Sequence, residues 1–86
     1  MKQLNSNNNN ELADYCHYLR GNTFRQLKLF QEAKKELLLV SKNFECYTLT
    51  NKTLGESSLE LEQYDKAIFY FKEVEKSSDV AKQGIQ

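Results

Sequence analysis

Apolar residues recur every three or four positions through residues 59–74, LELEQYDKAIFYFKEV, at Leu61, Tyr64, Ala67, Phe71 and Val74. That spacing lays one apolar stripe along a helical path. The stripe occurs a second time. In residues 25–40, RQLKLFQEAKKELLLV, the residues Leu27, Phe30, Ala33, Leu37 and Val40 stand 34 positions ahead of those five. Gly21 precedes Gly55, and Phe24 precedes Ser58, by the same interval. Seven positions share the period and six of them keep the residue type. The chain therefore holds an internal repeat, and a repeat of this length signals stacked supersecondary units.

Proline is absent and glycine is scarce, while Leu, Glu, Lys and Gln are abundant. These features favour an all-α chain. The stripes predict helices over roughly 11–28, 31–43, 46–62 and 65–77. Asn10, Gln31 and Asp65 fall near the expected N-termini, where capping or acidic residues are favourable. Gly21 and Gly55 each cost about 1 kcal/mol of helix propensity relative to Ala. A close approach by a neighbouring helix explains such a cost. Ala33 and Ala67 are the expected small partners, with Phe24, Leu27, Phe30, Leu37, Leu61, Tyr64 and Phe71 filling the space around them. Residues 5–10, NSNNNN, offer nothing apolar to bury. They predict a disordered Asn-rich tail over residues 1–10 that ends in an N-cap. Two units then occupy residues 11–78, at about 14–47 and 48–81. Residues 79–86 read as a tail or as the start of a partial capping helix, with Ser78 or Asp79 as its cap.

A 34-residue unit ordered as Gly, aromatic, Ala and then aromatic or Leu resembles the tetratricopeptide repeat (TPR). The second unit, LGESSLELEQYDKAIFYFKEV, carries the resemblance through Leu54, Gly55, Tyr64, Ala67, Phe71 and Val74. The first, RGNTFRQLKLFQEAKKELLLV, carries it through Gly21, Phe24, Phe30, Ala33 and Leu37. The chain departs from the family at Arg20, where Leu is usual, and at His17 and Asn51, which replace a large residue. Ser58 replaces an aromatic, and Glu45 and Asp79 stand where the closing proline would be. The resemblance implies two helix-turn-helix units, four antiparallel helices in all, forming a short right-handed α-solenoid.

The resemblance further implies a concave groove lined by the first helix of each unit, which takes an extended peptide or a helix. Its groove-facing spacing falls on Tyr15, Tyr18, Asn22, Arg25 and Gln26 in the first unit. In the second it falls on Leu49, Lys52, Glu56 and Glu60. Steps of three and four residues keep such side chains on one face. Tyr, Arg and Asn suit peptide recognition because they combine contact area with hydrogen bonding. One subclass of the family clamps a C-terminal carboxylate with Lys and Asn. Asn22 matches that Asn, but Tyr18 stands in place of the Lys and Thr53 in place of a second Asn, so that activity is not carried over.

With 86 residues the chain makes one domain at most, and a core of that size is marginal. Twelve basic and twelve acidic residues give no net charge. That balance argues against nucleic acid and against an anionic membrane surface as partners. No apolar run approaches the roughly 18–20 residues of a membrane span, and the polar N-terminus does not read as a secretory signal. Cys16 and Cys46 form no CxxC pair. They read as free thiols in a reducing compartment, the cytoplasm by default.

Candidates for chemistry are few. His17 lies beside Cys16, but sequence neighbours on a helix point away from one another. A structural zinc site takes four ligands, and His17, Cys16 and Cys46 fall short of that. His17 is expected at an inter-helix seam, with Cys16 as a small apolar filler. Glu56, Glu60 and Glu62 read as a solvated face, and neither a Gly-rich phosphate loop nor a GxSxG is present. No catalytic residue, cofactor or metal is expected. Leu38, Leu39 and Phe69 fall on the second helices, where the family is usually polar, and form a candidate second interface. The expected function is a non-catalytic scaffold that binds a peptide or helix of a protein partner, within a larger assembly. The alternative is self-association as a homo-oligomer, or a piece of a longer repeat array, because stacked units need about three copies to stand alone.

Overall fold

A computed structural model describes the backbone of residues 2–85 and the side chains of residues 11–77. Four helices follow one another: α1 (Lys2–Gln26), α2 (Phe30–Leu37), α3 (Tyr47–Glu60) and α4 (Tyr64–Ile85). There is no strand among the described residues. α1 packs on α2 and α3 packs on α4, giving two helical hairpins. α3 joins them by packing on α2 and, more lightly, on α1.

The 34-residue period of the sequence is also a period of the backbone. α1 ends with the Leu27 N–H donating to the Thr23 carbonyl at 3.0 Å, Lys28 to Arg25 at 2.9 Å and Leu29 to Phe24 at 2.8 Å. α3 ends with Leu61 donating to Ser57 at 3.1 Å, Glu62 to Leu59 at 2.9 Å and Gln63 to Ser58 at 2.8 Å. Both sets are Schellman closures, which satisfy the last carbonyls of a helix by placing one residue in the left-handed region. That residue is Lys28 (φ 65°) in the first hairpin and Glu62 (φ 61°) in the second. A side chain there carries strain that glycine does not. Glu62 is exposed, so Glu62→Gly removes little else. We expect it to raise stability by about 0.5–1 kcal/mol, read as a higher urea midpoint.

The two glycines sit at matching close approaches. A Cβ on Gly21 would stand 2.5 Å from Cδ2 and Cγ of Leu37, and a Cβ on Gly55 would stand 2.6 Å from Cε1 of Phe71. Leu37 and Phe71 are themselves 34 residues apart. Each hairpin therefore closes by pressing a large side chain of its second helix onto a bare backbone on its first.

The buried apolar set is small: Ala33, Leu37, Val40, Leu54 and Ala67. Around it lies a polar interior contributed by α3, namely Thr50, Asn51, Thr53, Ser57 and Ser58. α3 meets all three other helices, and its small side chains let them approach. Thr50 and Thr53 satisfy their hydroxyls by donating to the carbonyls of Cys46 and Leu49, at 3.0 and 3.1 Å. The hydroxyls of Ser57 and Ser58 have no partner among the described residues. Lys34 is 6% exposed and its amine donates to the side-chain carbonyl of Gln63, linking α2 to the turn between α3 and α4. Burial, and then the nearby Lys66, hold the Lys34 amine below the usual lysine value.

Several expectations are corrected. The backbone is helical from Lys2, so Asn10 does not begin α1. Once a packed turn has nucleated a helix, extension costs little. Asn10 and the other side chains of residues 1–10 lie outside the described ones. α2 stops at Leu37, well short of residue 43. Beyond it, the Leu39 and Val40 N–H groups tighten onto the carbonyls of Glu36 and Leu37 at 3.0 and 3.2 Å. Asp14 of α1 then holds the departing chain, accepting from the Ser41 N–H at 3.0 Å and the Ser41 hydroxyl at 2.7 Å. Asp14→Ala is expected to cost about 1 kcal/mol, visible as a lower melting temperature. The second hairpin has Glu75 where the first has Ser41. α4 accordingly runs unbroken through residues 78 and 79 to Ile85, and no separate capping helix starts there. Asp79 stands at the site of the missing proline, so nothing there breaks the ladder.

Two expected core residues are also exposed. Leu27 follows the last residue of α1 and leaves its packed face, and it is 63% exposed. Tyr64 opens α4 and is 59% exposed, whereas its counterpart Phe30 is half-buried near α3. No described element stands against Tyr64 as α3 stands by Phe30.

Candidate binding site

α1 and α3, the first helices of the two hairpins, carry all nine residues that the sequence marks as a groove. Near their C-terminal ends lies an open depression of about 510 Å³. Arg25 and Gln26 line it from α1, and Glu56 and Glu60 line it from α3. Lys28, Phe30 and Leu59 complete the lining. Arg25 Nη1 lies 3.9 Å from Glu56 Oε1, an ion pair across the two hairpins. Both side chains are more than a third exposed, so solvent screens the pair and it adds little stability. The Arg25 Nε is buried and has no acceptor among the described residues. The depression thus offers both signs of charge and the apolar surface of Leu59 and Phe30.

Tyr15 and Tyr18 lie apart from this group. Their rings pack on Phe44 in the α2–α3 connection, with centroids 6.4 and 5.6 Å away. Tilted pairs at such distances are favourable beyond their buried area. Tyr15 and Phe44 line a second open depression of about 520 Å³ with Glu11, Leu12 and Glu45. Asn22 is half-buried on α1, while Leu49 and Lys52 are exposed on α3 and line neither depression. The nine residues therefore fall into a charged group, an aromatic group and three that join neither. Sequence reasoning missed Lys28, Leu59 and Phe44. Phe30 it placed in the core. Only the backbone reversal at Lys28 brings that lysine back toward Arg25.

Leu38 and Leu39 do not lie on α2 but in the turn that follows it. Leu38, Leu39 and Phe69 are 57%, 59% and 60% exposed. Leu38 and Phe69 border a notch of about 360 Å³ between α2 and α4.

His17 sits at the α1–α2 seam. Its Nδ1 is 2.9 Å from Glu36 Oε2, and Arg20 Nη2 is 3.3 Å from Glu36 Oε1. The three side chains tie the first hairpin together. Cys16 is exposed and fills no interior space, and both cysteines are free thiols. No group of three His, Cys, Asp or Glu residues is placed to hold a metal ion among the described residues. No described helix is long and apolar enough to cross a membrane.

No family model, no curated protein and no solved structure matches the chain.

Proposed function

We propose that the chain is a non-catalytic protein-interaction module of tetratricopeptide type, whose α1–α3 face binds an extended peptide or a helix of a partner protein. The observation that carries this reading is the convergence of Arg25, Gln26, Glu56 and Glu60 from two hairpins onto one open depression. A peptide laid there would touch both units at once, with backbone and side-chain polar groups meeting Arg25 and the two glutamates. The recurrence of helix closure and glycine contact at 34 residues supports the tetratricopeptide assignment. The two free thiols suit a reducing compartment such as the cytoplasm.

Selection from a displayed library of random peptides tests this reading. Enriched peptides are expected to lose at least tenfold in affinity on Arg25→Ala or Glu60→Ala, with the melting temperature of each variant within a few degrees of the parent. Peptides that bind both variants as tightly as the parent would place recognition elsewhere on the chain.

A second reading is self-association, favoured by the exposure of Leu38, Leu39 and Phe69. It requires a melting temperature that rises with protein concentration. Light scattering on a size-exclusion peak separates the two readings, since the module reading requires a monomer that melts cooperatively.

A further inference from the structure

The notch between α2 and α4 differs from the other depressions in what lies inside it. Leu37, Val40 and Leu54 form its buried apolar wall, and Leu38, Phe69 and Tyr70 complete it. Asn51 of α3 also lines it and is 2% exposed. The Nδ2 of Asn51 has no acceptor among the described residues. A buried amide donor without a partner opposes folding, and native chains keep few of them. A larger apolar residue at this position would fill the space and remove the orphan. A volume of about 360 Å³ lies within the range of specific ligand pockets.

We propose that this notch is a second binding site, which takes one apolar side chain of a partner polypeptide while the adjoining backbone carbonyl accepts from Asn51 Nδ2. The apolar wall calls for an apolar group, and the orphaned amide calls for an acceptor beside it. The rim argues for a polypeptide. Leu38 and Phe69 stand exposed at the mouth, and their sequence neighbours Leu39 and Ile68 are exposed as well. A ligand that only filled the notch would leave that surface wet, whereas a peptide lying across it would cover it. Charge adds a further preference. Lys42 lines the notch with no ion pair among the described residues, while Glu73 is engaged by Lys76 at 3.3 Å. An acidic residue next to the inserted one would meet Lys42.

The site rests on the proposed function only in expecting a protein partner: it uses none of the residues of the α1–α3 depression, while Leu38 and Phe69 also carry the self-association reading. The probe is N-acetyl-Asp-Leu-amide, titrated into the full chain labelled with nitrogen-15. The side-chain amide pair of Asn51 is expected to shift saturably at millimolar probe. Asn51→Ala keeps the space but removes the donor, and should weaken binding about fivefold. Asn51→Leu fills the space and should abolish binding, while Arg25→Ala should leave it unchanged. Loss of binding in Arg25→Ala would overturn the separateness of the two sites. Three other results would overturn the proposal. One is an Asn51 pair that does not move, including a chain whose spectrum shows no folded dispersion. Another is equal binding by Asn51→Leu. The third is a shift of the Asn51 pair on concentrating the chain alone, which would put a second copy in the notch.

Discussion

Gly21→Val is expected to destabilise the chain by about 3 kcal/mol, and Gly55→Val by a similar amount. The reason is the distance at which the second helix of each hairpin crosses the first. Even a methyl group on Gly21 would lie 2.5 Å from two carbons of Leu37, a side chain that is 1% exposed. On Gly55 it would meet three carbons of the Phe71 ring at 2.6–2.9 Å. Valine adds two more carbons and the rotamer restriction of a β-branched residue on a helix. The helices must separate, and the small apolar core between them loses contact. In a chain of this size the loss corresponds to a fall of more than 10 °C in melting temperature, roughly 4–8 °C per kcal/mol. Ala13→Val is the control, because Ala13 lies on the same helix but is exposed. It should cost well under 1 kcal/mol, the propensity difference alone. Equal melting temperatures for Gly21→Val and Ala13→Val would mean that α1 and α2 do not approach at Gly21.

The second large effect is Leu37→Ala, expected to cost about 3 kcal/mol by leaving a cavity where the side chain pressed on Gly21. Its coupling to Gly21 is the sharper test. In the parent, Gly21→Ala sets a clash against the roughly 1 kcal/mol by which alanine favours a helix, and the clash should win. In the Leu37→Ala background the clash is gone. Gly21→Ala should then stabilise by up to about 1 kcal/mol. The sign change gives a coupling energy of about 1–3 kcal/mol, within the range found for residues in direct contact. Additive effects in the double mutant would show that Gly21 and Leu37 do not touch.

The hairpins were legible in the sequence because glycine, alanine and the apolar stripe report packing between neighbouring helices. Gly21 and Gly55 were legible as close approaches, but the period pointed to Ala33 and Ala67 as their partners, whereas Leu37 and Phe71 are the side chains that press on them. The lengths of the second helices were not legible. Ser41 and Glu75 are counterparts, yet the chain leaves the helix before one and continues through the other. The difference lies in Asp14, which reaches Ser41 from another helix. Periodicity carries no record of such a contact. The polar interior was hidden for a similar reason. Thr50, Asn51, Thr53, Ser57 and Ser58 look like a surface until three helices close around α3.

The candidate site divides in the same way. The groove positions that the resemblance implies include Arg25, Gln26, Glu56 and Glu60 on the first helices, and the fold brings these four together. Tyr15 and Tyr18 were drawn away by Phe44, a residue of the connecting segment with no counterpart in the period. The notch at Asn51 was foreshadowed only as a large residue replaced by a small polar one. Its meaning depends on Phe69 and Leu38, which come to its mouth from different units.

The central claim is that the chain consists of two copies of one packed hairpin, each closed by a large side chain on a bare glycine. Nuclear Overhauser spectroscopy on the folded chain tests it most directly. Cross-peaks are expected from the Gly21 Hα protons to the Leu37 methyl groups and from the Gly55 Hα protons to the Phe71 ring. A helical chain that lacks either set would contradict the account.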